Sequence, residues 1–222
     1  MPNLLSPMVA LMAVAFLFGC GQSAPVVPDD SQAAGPVAPG SAEEGVSLKP
    51  SGVFAYTFIN RAPWVLIGEE KRDGEYQWAD FVGRAEPGER HPAEVAAREL
   101  WQETGHAYDR KTTEGELREL EPVDVGNNVF IYALEVQYRD ADDLESRDRV
   151  PFHEKERYCW IPYSELTESI DDSKNDQPRS QDNTAHVPTR CEGESTKIWY
   201  VVARNLDVGK PLRERLDSLL LP

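Results

Sequence analysis

The sequence predicts an α/β fold in which a β-sheet is flanked by helices. Three observations carry this reading. Short apolar runs rich in β-branched and aromatic residues are interleaved with stretches of helical period. The connections between them are mostly short, as expected when sheet and helices share one core. Apolar residues make up 40% of the 222-residue chain and include five tryptophans, enough for one ordinary domain with extensions.

The elements follow in chain order. The first twenty residues carry no charge, and the apolar run from Pro7 to Phe18 has the length of a signal-peptide core. It is shorter than the roughly 20 residues a membrane span needs. Residues 20–50 are rich in Pro, Ala, Gly and Ser and have no hydrophobic period, which predicts a flexible tether. The folded domain is expected over 51–222. GVFAYTFIN and PWVLIGEE, separated by Arg61 and Ala62, read as two strands, and Asp73-Gly74 is a hairpin turn signal. WADFVGRAEPGERHP reads as a Gly/Pro-rich loop. PAEVAARELWQETG reads as a helix, with Pro92 in its first turn and Gly105 at its C-terminal stop. NNVFIYALEVQY is a strand, and RYCWIPYSEL is a strand leading into a helix. Residues 171–195 form a polar insertion. KIWYVVARNL is a strand or a buried segment, and PLRERLDSLLL is a closing amphipathic helix.

The N-terminal run ends at Leu17, Gly19 and Cys20, a pattern that resembles the lipobox of bacterial lipoproteins. The resemblance implies that residues 1–19 are a cleaved signal peptide and that Cys20 carries lipid. The domain would then be membrane-anchored and extracytoplasmic, in a bacterial cell envelope. The alternative is an uncleaved anchor or a misplaced start codon. With Cys20 lipidated, Cys159 and Cys191 remain as an even pair. Outside the cytoplasm they could form a disulfide; otherwise they are two unrelated thiols. Their spacing does not suggest a zinc site.

Charge narrows the partners. The chain has 39 acidic against 23 basic residues and a net charge of −16, so it is not expected to bind nucleic acid by charge alone. A phosphate-bearing small molecule remains compatible if divalent cations stand between it and the protein.

One stretch, ARELWQETG, points to such cations. On a helix Glu99, Gln102 and Glu103 lie three and four residues apart and share a face. Like charges at this spacing repel unless a cation sits between them, and hard oxygen donors suit Mg²⁺ or Mn²⁺ rather than zinc. The loop ahead of the helix carries Gly83, Glu86, Gly88 and Glu89.

Together, Gly83, Glu89, Arg98, Glu99, Leu100, Glu103 and Gly105 closely resemble the Nudix box of the Nudix hydrolases. The sequence departs from that pattern in three places. Eight residues separate Glu89 from Arg98 where seven are usual, Gln102 replaces the first glutamate of a pair, and Val82 stands where a glycine often precedes the box.

The resemblance implies a Nudix-like α/β/α sandwich with a mixed sheet. It also implies a Mg²⁺- or Mn²⁺-dependent hydrolysis of a pyrophosphate bond in a nucleoside diphosphate linked to another moiety. Arg98 would orient Glu99. Glu99 and Glu103 would bind metal, joined by Glu89 (as ligand or loop support), Gln102 and the Val82 carbonyl. A late-loop glutamate, Glu154 first and Glu156 second, would be a further ligand or general base. Lys71, Arg72 and Arg84 are candidates to meet substrate phosphates. Trp64, Trp78 and Phe81 could stack on a base or belong to the core. Pro122, sixteen residues after His106, resembles the ADP-ribose pyrophosphatases and places ADP-ribose or a nucleotide sugar first among substrates. The alternative is a catalytically weak or inactive Nudix-fold lipoprotein that binds a nucleotide as a sensor.

Overall fold

The computed structural model describes residues 48–147, 154–174, 179–180, 182, 184–191 and 193–221. The expected signal peptide, Cys20 and all but the last residues of the tether lie outside the described residues. No helix among the described residues is long and apolar enough to cross a membrane.

Among the described residues, seven strands form one mixed sheet. β1 (Ser51–Ile59), β2 (Ala62–Arg72) and β3 (Glu75–Ala79) are successive antiparallel strands. The turn residues Asn60, Arg61, Asp73 and Gly74 all have positive φ, as two-residue loops between twisted strands require, and Asn, Asp and Gly tolerate this best. β6 (Phe130–Glu135) runs parallel to β1, and the short β5 (Val123–Asp124) pairs with β6. The order is β3-β2-β1-β6-β5. β4 (Phe81–Gly83) adds to β1, and β7 (Lys155–Pro162) lies along the other side of β2.

Both faces of the sheet are covered, which explains the nearly continuous apolar runs. Val53, Ala55, Leu66, Phe81 and Tyr132 form one core with Ala93, Ala96, Ala97 and Leu100 of α1 (Pro92–Glu103) and Leu117 of α2 (Arg110–Arg118). On the opposite face Phe54, Val65, Ile67, Trp78 and Ile161 pack with α4 (Tyr163–Asp172), α5 (Tyr200–Asn205) and α6 (Pro211–Leu220). α3 (Ala141–Glu145) lies against β7. Its Glu145 carboxylate accepts a hydrogen bond from the Tyr158 amide, which protects part of an otherwise open strand edge. The result is an α/β/α sandwich around a mixed sheet.

Two segments differ from the sequence reading. The expected loop from Trp78 contains the end of β3 and all of β4. Gly52 makes β4 possible: a Cβ there would collide with the Phe81 carbonyl and Val82. The open KIWYVVARNL reading resolves as bridges at Lys197 and Ile198 followed by helix α5. Its β-branched residues look strand-like, but Val202, Ala203 and Leu206 bury one helical face in the core, and packing overrides propensity.

Parts of the polar insertion are tied to the domain. A disulfide joins Cys159 of β7 to Cys191. Arg179 donates to Asp207 at 2.9 Å and to the Ile170 carbonyl at 2.5 Å. The Ser195 and Glu194 amides donate to Glu69 at 2.7 and 3.1 Å, and the Trp78 indole donates to the Ser195 carbonyl at 2.7 Å.

Candidate metal centre

The end of α1 faces β2 and the start of β7. His91 caps the helix, its Nδ1 accepting from the Ala93 amide at 3.1 Å. At the other end Gly105 and His106 have positive φ, and the ring of His106 stacks on Trp101. The helix is pinned to β7 where the Tyr158 hydroxyl donates to the Glu103 backbone carbonyl. This places the Glu103 side chain under the sheet, only 2% exposed. A bulge between Glu69 and Glu70 shifts the β2–β7 register and sets Glu70 opposite Lys155. Glu154 immediately precedes β7 and is exposed. Ligand oxygens of Glu70, Glu103 and Glu154 thereby come within 4.8 Å of one another.

Electrostatics shows what this arrangement lacks. Burial pushes the Glu103 carboxyl up from 4.5 to about 8, with Lys155 opposing the shift and Glu99 and Glu154 adding to it. Among the described residues Glu103 Oε2 has no hydrogen-bond partner. A buried, unpaired carboxylate oxygen is costly, and a cation would relieve that cost. Three carboxylates are also the donor set that Mg²⁺ or Mn²⁺ accepts. The residues therefore fit a divalent ion.

Two cations of the protein already reach Glu70. Lys155 Nζ lies 2.5 Å from Glu70 Oε2, donates to the Asp80 carbonyl at 2.8 Å, and is 3.9 Å from Glu103 Oε1. Arg72 pairs with the other oxygen of Glu70 and stacks over Trp199. Burial pulls the Lys155 amine below its ordinary value, against the pull of Glu103. Burial likewise raises Asp80, against Lys155 and Arg72.

A second set gathers around Arg98, which is 4% exposed. Its Nε donates to Glu89 at 2.8 Å, and its Nη1 donates to Glu99 at 2.8 Å and to the Gln102 side-chain oxygen at 2.9 Å. Its Nη2 donates to the Arg84 carbonyl at 2.6 Å. Glu89 also accepts from the Glu86 amide at 2.7 Å, so it braces the loop. Gly83 lets the Glu99 carboxylate lie against β4, because a Cβ at Gly83 would fall on that carboxylate. Burial raises the Glu99 carboxyl, Arg98 lowers it, and nearby Glu154 raises it further.

The structure thus brings Glu103 and Glu154 together and adds Glu70, which sequence reasoning missed. It gathers Glu89, Glu99 and Gln102 at Arg98. Val82 sits in β4 opposite Gly52. Glu156 faces away to the Tyr76 hydroxyl at 3.3 Å. Lys71 and Arg84 are exposed, whereas Arg72 is turned to Glu70. Trp78 and Phe81 are buried in the cores and cannot stack on a ligand; Trp64 is only partly buried, beneath Arg190.

Comparison with known proteins adds the family. The NUDIX domain model matches residues 48–182. No curated protein matches the sequence. Among solved structures, a C. elegans Ap4A hydrolase binary complex is 16% identical over 54% of this chain and 84% of its own, with a TM-score of 0.37. The NUDIX domain of Shewanella oneidensis NrtR, complexed with ADP ribose, is 10% identical over 55% and 77%, with a TM-score of 0.38. A NUDIX hydrolase from Nitrosomonas europaea is 20% identical over 59% and 82%, with a TM-score of 0.36. With residues 48–182 matched, more than half of the chain, the protein belongs to the NUDIX domain family.

Proposed function

We propose that this protein hydrolyses a pyrophosphate bond in a nucleoside diphosphate linked to another moiety, using Mg²⁺ or Mn²⁺. ADP-ribose or a nucleotide sugar comes first among the substrates. The observation that carries the reading is the buried Glu103 Oε2, without a hydrogen-bond partner among the described residues, beside Glu70 and Glu154 at the C-terminal end of the box helix. When bound, the divalent ion would neutralise the pyrophosphate oxygens and lower the pKa of a water molecule.

The protein's own residues have separable tasks. Glu103 and Glu154 would hold the ion, with Glu70 beside them. Arg98 fixes the Glu99 carboxylate against β4 through Gly83, so that Glu99 meets the site without a rotamer search. Glu154, exposed and adjacent to the buried acids, can accept a proton from an attacking water. Lys71 and Arg84, both exposed, are the candidates to meet substrate phosphates. Pro122 remains the feature that favours ADP-ribose.

The extracytoplasmic placement is part of the proposal. The Cys159–Cys191 disulfide supports an oxidising compartment, and a Cys20→Ala protein is expected to leave the membrane fraction. The functional test is a panel of dinucleoside polyphosphates, ADP-ribose and nucleotide sugars with Mg²⁺ or Mn²⁺, for wild type and Glu99→Gln. Release of a nucleoside monophosphate that Glu99→Gln lowers by orders of magnitude supports hydrolysis. Binding with no turnover on any member supports the sensor reading instead.

A further inference from the structure

We propose that Lys155 is a built-in counter-cation filling one position of the acidic cluster, so that the substrate-free protein holds a single divalent ion, between Glu103 and Glu154. This rests on the metal-centre reading above and adds the number and place of the ions. The first observation is position. The Lys155 ammonium lies 2.5 Å from Glu70 and 3.9 Å from Glu103, two of the three carboxylates whose ligand atoms are within 4.8 Å of one another. It therefore stands where a cation shared by Glu70 and Glu103 would stand.

The second observation is that the fold is shaped to keep it there. The side chain is fully buried, and its ammonium also donates to the Asp80 carbonyl at 2.8 Å. Its methylene stem crosses β2 over Gly68, where a Cβ would come within 2.7 Å of Lys155 Cδ. A lysine that merely decorated the strand would need neither a glycine beneath its stem nor a carbonyl at its tip.

The third observation is charge. Glu70, Glu103 and Glu154 supply three negative charges, and Lys155 and Arg72 already cancel part of that charge at Glu70, which leaves too little for two divalent ions. A second divalent ion would sit beside a buried ammonium, where like charges a few ångströms apart repel far more than in water. The fourth is the supply of free oxygens. Glu70 is ion-paired with two cations, Lys155 and Arg72, although its Oε1 makes no hydrogen bond among the described residues, whereas Glu103 has the Lys155 ammonium only at 3.9 Å from Oε1 and no hydrogen bond at Oε2 among the described residues. The ion therefore belongs toward Glu103 and Glu154. A lysine acting only to neutralise Glu70 would not change the number of ions bound, and this separates the two roles experimentally.

The test uses Mn²⁺ alone, on the full chain without nucleotide. Electron paramagnetic resonance titration counts bound ions, and anomalous diffraction from Mn²⁺-soaked crystals locates them. Wild type is expected to hold one ion at Glu103 and Glu154. Lys155→Met is expected to hold two, the second against Glu70 where the ammonium was, and to bind the first at least tenfold more tightly. Lys155→Arg, which keeps the charge, should still hold one. Two ions in the wild-type cluster, or one ion of unchanged affinity in folded Lys155→Met, would overturn the proposal. If Lys155→Met does not fold, Lys155→Gln serves, and the wild-type map alone still decides between one ion and two. A wild-type cluster with no ion removes the metal-centre reading itself, a result distinct from a count of two.

Discussion

Replacing Glu103 by Gln separates what this side chain costs from what it does. In the metal-free protein its carboxyl sits at about 8 instead of 4.5, chiefly through burial. A carboxyl raised in the folded state favours folding in its protonated form, and that advantage is lost as pH rises through the folded value. Each unit corresponds to about 1.4 kcal/mol. The penalty relative to a neutral isostere is therefore under about 1 kcal/mol at pH 5 and on the order of 4 kcal/mol at pH 8. The groups that set it are Lys155, Glu99, Glu154 and Arg72, all retained in the variant. With EDTA, Glu103→Gln should melt close to wild type at pH 5 and roughly 8–16 °C above it at pH 8. Adding Mn²⁺ at pH 8 should raise the wild-type midpoint and leave the variant unmoved, because ligand binding to the native state is stabilising only where the ligands exist. Thermal melts at pH 5, 6, 7 and 8, with EDTA or Mn²⁺, measure both. A variant less stable than wild type at pH 8 in EDTA, or one equally stabilised by Mn²⁺, would refute the reasoning.

Other perturbations probe the surroundings. Gln102→Glu keeps an oxygen acceptor toward Arg98, now 2.9 Å away, and adds a negative charge, so kcat/KM should be preserved or raised; loss of activity would show the box alignment at this position to be mistaken. Gly83→Ala places a methyl on the Glu99 carboxylate and should lower kcat at least tenfold while circular dichroism stays unchanged; full activity would mean that Glu99 is not held there. Cys191→Ser opens a disulfide spanning 32 residues, for which chain entropy gives a loss of about 3–4 kcal/mol. Denaturant unfolding should show that loss, and dithiothreitol should reproduce it in wild type.

The sequence disclosed most where local chemistry settles local structure. Asp73-Gly74 can form a tight turn and Pro92 can open a helix without help from distant residues, and both appear where expected. The grouping at Arg98 was also legible, because Glu99 and Gln102 are neighbours on one helix and Glu89 is nearby in the loop. Glu70 and Lys155 were not. They meet only because β2 and β7 pair with a bulge between Glu69 and Glu70, and strand pairing across 85 residues leaves no local trace. α2 escaped for another reason: only Thr113 and Leu117 are buried, so it shows almost no apolar stripe. The Asp109 cap, accepting from the Thr112 amide at 2.9 Å, was the available signal.

The central claim is that Glu103 and its neighbours hold the ion on which pyrophosphate cleavage depends. It is tested most directly by the turnover of ADP-ribose to AMP and ribose 5-phosphate, followed for wild type and Glu103→Gln at saturating Mg²⁺. Wild type should cleave, EDTA should stop it, and the variant should fall by about 100-fold or more with its fold intact. Cleavage that survives EDTA, or an equally active Glu103→Gln, would contradict the account.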